Sequence, residues 1–275
     1  MKKWKYAVSA APAAPKTAPI LLTGDICDCL HRAAALGFDA IEYHTRETTV
    51  FDYEKILATM EETGCRISMI VTGRLFTEGG YSLTSEDPAN EQTAVEGMLR
   101  YVDMASRLGA GLVIGWAKGN IRAAADRKTY FDRLTKNLKI IDKSAAEKKV
   151  PVVIEVINHY EVDVFTTAAE LAQYLEANEF ASVYAHLDTF HMQLEEESFT
   201  KAIERVRGKM GYFHIADSTR WYPGSGYKDF KEIRRALEST GYDGYLALEC
   251  FPKDDNEDTA RRGLAYMKFI QQTIV

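Results

Sequence analysis

The chain has 275 residues, 46% of them hydrophobic and 27% charged, with 18 Gly, 7 Pro and a net charge of −6. This is ordinary globular usage, which excludes a collagen-like, low-complexity or disordered chain, and the acidic balance argues against a protein that grips nucleic-acid phosphates. No run of about 18 uninterrupted apolar residues occurs, so no membrane span is expected.

In chain order, MKKWKYAVSAAPAAPK reads as a first strand over 4–9 rather than a signal peptide, because its apolar stretch is short and interrupted. Further strands are expected near 39–44, 66–72, 111–116, 151–157, 183–188, 211–216 and 244–250. Amphipathic helices are expected near 25–36, 52–63, 89–108, 127–149, 166–178, 198–209, 228–240 and 257–273. Asp25 and Asp52 fit N-caps, and Gly37, Gly64, Gly109 and Gly241 each sit where a left-handed C-cap is wanted. Eight strands alternating with eight helices, at about 34 residues per unit, point to an α/β fold, a single-domain (β/α)8 TIM barrel spanning 1–275. An open doubly wound sheet would bring a Gly-rich phosphate turn after the first strand, and APAAPKTAPILLTGD carries no GxGxxG. The four cysteines (27, 29, 65, 250) show no metal or disulfide-framework spacing, which suits a reducing cytoplasm.

A barrel collects its chemistry at the carboxyl ends of its strands. The fifth strand, VVIEVINHYE, carries Glu155. The sixth, VYAHLDTFH, carries Asp188; the seventh, YFHIADSTR, carries His214; the eighth, YLALEC, carries Glu249. Alternation turns all four inward, with Val153, Tyr184, Tyr212, Tyr245 and Ala247 below them. Three carboxylates and an imidazole at one level repel one another and lose hydration, and a divalent cation resolves both problems. An oxygen-rich set with one nitrogen suits Mn²⁺, with Mg²⁺ or Co²⁺ as alternatives, and one ion per chain is expected.

The runs IEVINHYE, HLDTFHM, FHIADSTRWYPGSG and LECFP resemble the ketose 3-epimerases of the sugar isomerase/epimerase superfamily, whose barrels are xylose-isomerase-like. With TGRLFTEGGYSLTSEDP after the third strand, the likeness is greatest to the keto-uronate epimerases that take 5-keto-L-gluconate. The resemblance implies one divalent metal on Glu155, Asp188, His214 and Glu249. It also implies an acid/base pair, Glu155 and Glu249, acting on opposite faces of a cis-enediolate, since epimerisation beside a ketone takes a proton from one face and returns it to the other. Glu161 would hold a terminal hydroxyl, while His191 and Arg220 would donate to substrate oxygens. A small sugar or sugar acid is the expected partner, in a homo-oligomer (dimer or tetramer), with no nucleic acid and no membrane.

Other residues carry weaker expectations. Trp116, Lys118 and Arg74 sit where they could line the mouth, and Lys118 or Arg74 could meet a substrate carboxylate. His44 could reach the mouth, whereas His186 reads as a hydrogen-bonded core histidine and His31 and His159 as structural or surface. Cys27 and Cys29 receive no role, and Glu195–Glu197 reads as a solvated turn. Loops 73–88 and 217–228, with glycines at 79–80 and 224–226, are candidate lids. The rival activities are an aldose–ketose isomerase of the hydroxypyruvate isomerase kind on the same metal site, and an abasic-site endonuclease-like hydrolase. The hydrolase would need more than six His and a basic surface. A barrel that only binds a sugar acid would not need two glutamates.

Overall fold

The structure is a computed structural model that describes residues 4–273. Met1–Lys3 and Ile274–Val275 lie outside the described residues, so the first strand rests on Lys5–Ala11.

The elements are β1 (Lys5–Ala11), β2 (Leu22–Thr23), α1 (Ile26–Leu36), β3 (Ala40–His44), α2 (Tyr53–Thr63), β4 (Arg66–Val71), α3 (Gly73–Thr77) and α4 (Pro88–Leu108). They continue with β5 (Gly111–Ile114), α5 (Arg127–Glu147), β6 (Val152–Glu155), α6 (Ala168–Asn178), β7 (Val183–Asp188), α7 (Thr189–Glu195) and α8 (Phe199–Arg205). β8 (Met210–Ile215), α9 (Phe230–Thr240), β9 (Tyr245–Leu248) and α10 (Asn256–Thr273) complete the chain. Every strand pairing is parallel. The order runs from β1 through β3 to β9, and β9 pairs back onto β1 with Ala7 opposite Ala247, closing an eight-stranded (β/α)8 barrel; β2 only extends one edge of β1.

The expected strands and main helices are all present, with ends moved by a few residues. Asp25 accepts from Cys27 N and Asp52 from Lys55 N, and Gly37, Gly64, Gly109 and Gly241 all have positive φ at their helix ends. Sequence periodicity missed β2, α3, α7 and two short 3-10 turns at Trp116–Lys118 and Ile121–Ala123, because none is long enough to show an apolar stripe.

Inside the barrel, Ala7, Ala40, Met69, Val113, Val153, Tyr212 and Ala247 form a packed layer, with Tyr184 and Tyr245 against it. The inward companions read from alternation are therefore the ones that fill the floor beneath the mouth. Two parallel pairings slip by one residue on that floor. Ser68 is extra opposite Ile41/Glu42, and Gly211 is extra opposite Ala185/His186. A Cβ on Gly211 would stand 2.6 Å from Val153 Cγ1, so the bulge closes tightly only with glycine.

Candidate active site

Glu155 ends β6, Asp188 ends β7, His214 lies on β8 and Glu249 follows β9, and all four side chains are buried. One donor atom from each lies within 4.8 Å of the others. His214 Nδ1 stands 3.5 Å from Glu249 Oε2, 3.7 Å from Glu155 Oε1 and 3.9 Å from Asp188 Oδ2.

These distances are too long for direct hydrogen bonds and leave a centre bounded by donors. His214 Nδ1 and Asp188 Oδ2 have no hydrogen-bond partner although both are buried. Each residue has spent its other polar atom. Asp188 Oδ1 caps α7 by accepting from Phe190 N at 2.7 Å, and His214 Nε2 faces Glu42 Oε2 at 2.8 Å. A carboxylate can only accept, so Nε2 carries a proton, and Nδ1 is the nitrogen that would turn its lone pair to a cation in the cluster. Two orphaned donors aimed at one centre, with two further carboxylates beside it, fit a divalent cation.

Without an ion the cluster is electrostatically divided. Burial and the neighbouring Glu249 push Glu155 up to about 8. Burial also raises Asp188, opposed by Arg220 and His214. For Glu249, burial is outweighed by the attraction of His214 and Arg220, which hold it well below the usual carboxylate range.

Glu42 is one of two residues that the sequence reading missed; the other, Asn158, holds His191. Glu42 sits fully buried on β3, its other oxygen 3.4 Å from His44 Nε2. The signal was present: in AIEYH the inward positions are Ala40, Glu42 and His44, and a carboxylate in mid-strand needs a partner deep in the barrel.

His191, one turn into α7, is buried behind Glu155 and Asp188, its Nε2 3.9 and 3.8 Å from them. Asn158 Nδ2 lies 2.7 Å from His191 Nδ1 and also donates to Glu161 Oε1 at 3.1 Å. An amide nitrogen can only donate, so His191 presents its Nε2–H to the cluster. Arg220 bonds Glu249 Oε2 at 2.7 Å, lies 3.8 Å from Asp188 and 3.9 Å from Glu161, and stacks over Phe190 with 4.7 Å to the ring centre. Its φ of 59° places a non-glycine residue in the left-handed region, held there by Arg220 N to Asp217 O and Phe251 N to Arg220 O. Glu161 is half-buried at the rim.

A cavity of about 370 Å³ opens over this cluster, bounded by Glu155, Glu161, His191, Arg220 and Glu249, with His44, Arg74 and Trp116 on its far wall. All seven site residues expected from sequence thus lie together. Neither expected carboxylate partner presents a free charge. Lys118 is wholly buried behind Gly115, donates to its carbonyl at 3.2 Å, and is pulled down to about 8 by burial, opposed by Glu155 and Glu161. Arg74 lines the cavity but is bound to Glu78 at 3.2 Å and to the carbonyl of Ala13.

Several weaker expectations are corrected. His186 is buried, but neither ring nitrogen has a hydrogen-bond partner; it stands edge-on to His214 at 4.1 Å between centroids, and burial keeps it neutral. Glu195 and Glu196 are half-buried anchors rather than a solvated turn. Glu195 accepts from His159 N at 2.7 Å, and Glu196 accepts from Ala168 N at 2.6 Å. The candidate lids are pinned. Leu83 N bonds Ala117 O and Thr84 Oγ1 bonds Lys118 O in one loop. In the other, Asp217 accepts from Ser218 N, Gly224 N and Lys228 N at 2.7, 2.8 and 3.2 Å. Glycine there serves close approach, since a Cβ on Gly224 would meet the Tyr266 ring at 2.6 Å. His31 is exposed, and Cys27 and Cys29 are buried free thiols.

A family model described as "Xylose isomerase-like TIM barrel" matches residues 30–270. The chain belongs to that family. Among curated relatives, an L-ribulose 3-epimerase of Mesorhizobium japonicum is 29% identical over 220 residues, covering 79% of this chain and 73% of that one. A 3-dehydro-D-guloside 4-epimerase of Escherichia coli is 26% identical over 248 residues, covering 85% and 90%. A solved structure of L-ribulose 3-epimerase superposes with a TM-score of 0.84 at 22% identity, covering 98% and 95%, and shares the fold. Among the described residues no helix is long and apolar enough to cross a membrane.

Proposed function

We propose that the protein is a divalent-metal-dependent carbohydrate epimerase of the ketose 3-epimerase kind, inverting the carbon beside a ketone. The observation that carries this is the pair Glu155 and Glu249. They stand on strands separated by two others, yet their carboxylates lie within 4.8 Å of one another and of Asp188 and His214. An inversion needs one proton acceptor on each face of the same carbon, and two glutamates that reach one centre from different sides supply them. The epimerases named among its relatives support the same reaction class.

Glu155, Asp188, His214 and Glu249 would hold the cation, which supplies Lewis-acid polarisation of the ketone and its neighbouring hydroxyl. Mn²⁺ suits three carboxylates and one imidazole, with Mg²⁺ or Co²⁺ able to replace it. In either direction one glutamate takes the proton and the other returns one, so their roles exchange with direction. The His191 Nε2–H and the Arg220 guanidinium are placed to donate to oxygens where negative charge develops, and Glu161 at the rim accepts from a distal hydroxyl. The cavity's cations are already engaged, which favours a neutral keto-sugar over a keto-uronate such as 5-keto-L-gluconate or D-tagaturonate. We read residues 1–275 as one catalytic unit, a homo-oligomer (dimer or tetramer) of the cytoplasm, where four free buried thiols suit a reducing compartment.

The test is turnover of the Mn²⁺-loaded protein in heavy water with fructose, tagatose and 5-keto-L-gluconate, followed by proton NMR. Inversion with deuterium beside the ketone is expected, fastest on a neutral ketose. Deuterium at the terminal carbon with aldose formation would move the assignment to an aldose–ketose isomerase. Absence of exchange with every substrate would overturn the catalytic reading.

A further inference from the structure

Glu42 serves two histidines at once. Its Oε2 lies 2.8 Å from His214 Nε2, and its Oε1 faces His44 Nε2 at 3.4 Å. A carboxylate can only accept, so each imidazole turns an Nε2–H to Glu42. For His214 that leaves Nδ1 to the candidate cation. For His44, two residues further along β3, it leaves Nδ1 with no hydrogen-bond partner among the described residues. In the neutral ring that nitrogen is an acceptor. His44 forms part of the wall of the reacting cavity, its side chain 12% exposed.

A second cation is poorly served there. Glu42, His44 and Glu249 each bring a donor atom within 4.8 Å of the others, but both Glu42 oxygens face histidines. Glu249 Oε2 is bound to Arg220 at 2.7 Å, so an ion in that space would stand beside a guanidinium. A sugar hydroxyl needs a single acceptor, and the other side chains on this wall offer none. Val71, paired with His44 across β3 and β4, is apolar, while Arg74 and Trp116 can only donate. The ketone oxygen and the hydroxyl of the reacting carbon are the groups that the cation would hold. The hydroxyl that reaches a ring beside Glu249 is then the one on the next carbon outward, C4 of a 2-ketose.

We propose that His44 is a specificity-determining residue that accepts a hydrogen bond from the hydroxyl one carbon beyond the reacting centre. The inference rests on the epimerase reading and deepens it: the preferred sugar carries a free hydroxyl at that carbon, in the configuration that meets the ring. An analogue without the hydroxyl leaves a largely buried acceptor unpaired and is rejected for that reason.

The experiment compares kcat/KM at pH 8 for deuterium incorporation by the Mn²⁺-loaded protein on fructose, on its C4 epimer tagatose, and on 4-deoxyfructose. The better of the two ketohexoses should exceed 4-deoxyfructose by about tenfold or more. His44→Phe, which keeps a ring but no acceptor, should bring that ratio to within about twofold of one. A residue that acted only by holding Glu42, and through it His214 and the cation, would slow all three sugars by the same factor and leave the ratio standing. That outcome would overturn the contact, as would equal rates in the unmodified protein, or a second Mn²⁺ per chain that His44→Phe removes. Should no sugar exchange, calorimetric binding of the same three reads the contact by itself. A preference for the C4 hydroxyl abolished by His44→Phe would then retain the contact and reject the epimerase, and no preference would overturn both.

Discussion

At the scale of single residues, the centre depends on how each polar atom is spent. Asp188 divides its oxygens between a helix cap and the cluster, and Glu42 fixes the tautomer of His214 from below. Glu42→Gln keeps the shape but removes the charge that orients the imidazole. Mn²⁺ affinity should fall roughly 10- to 100-fold by titration, with the far-UV spectrum unchanged. Glu155→Gln and Glu249→Gln should each lower kcat by about 10²–10⁴ while leaving the fold intact, and an unchanged rate for either would contradict the two-base scheme. The four candidate ligands were legible because they fall at or beside strand ends, where alternation predicts direction, whereas Glu161, His191 and Arg220 lie beyond the strands and were expected only from the family resemblance. Glu42 and Asn158 were missed, because each works through a neighbour: one holds His214 and the other His191. His186 was misread for a related reason. A sequence shows that a histidine points inward but not whether a partner awaits it.

At the scale of elements, strands and long helices were read nearly to their ends because their apolar periodicity and their Asp and Gly caps agree. The short pieces were not, and they carry much of the site. α7 begins immediately at Asp188, so the ligand and the His191 position come from one strand-to-helix junction. The 217–228 loop looked mobile by composition, yet the Asp217 carboxylate gathers its backbone N–H groups. Partial burial would raise that carboxyl, but hydrogen bonds from Ser218, Lys228, Gly224 and Gly226 lower it below the ordinary value. A depressed folded pKa means that the stabilisation is present above the unfolded pKa, near 4, and is lost as pH falls through the lower folded value. Asp217→Ala should therefore cost about 1–3 kcal/mol in urea unfolding at pH 7 and progressively less towards pH 3. A loss that did not shrink in acid would show that the carboxylate is not what fixes the loop.

At the scale of the whole molecule, the centre joins the ends of four successive strands, β6 to β9, so a bound cation would tie that half of the barrel together. Mn²⁺ at 100 times its dissociation constant should add about 2.7 kcal/mol, which for a chain of this size raises Tm by about 5 °C; chelation should reverse it. Cys29 and Cys65 report on the same cooperativity. Burial pushes both thiols up to about 12, so an aromatic disulfide reagent at pH 8 should label them only at the rate of global unfolding. Rapid labelling of the native protein would reveal local opening of α1 or of the start of β4.

The pairing of Ala7 with Ala247 also sets a clock on synthesis. One edge of the first strand finds its neighbour only after the last strand has left the ribosome, roughly 10–50 s later at ordinary elongation rates. Until then the nascent chain carries a sheet with two open edges, and the glutamate that completes the candidate metal site is the residue that follows the closing strand.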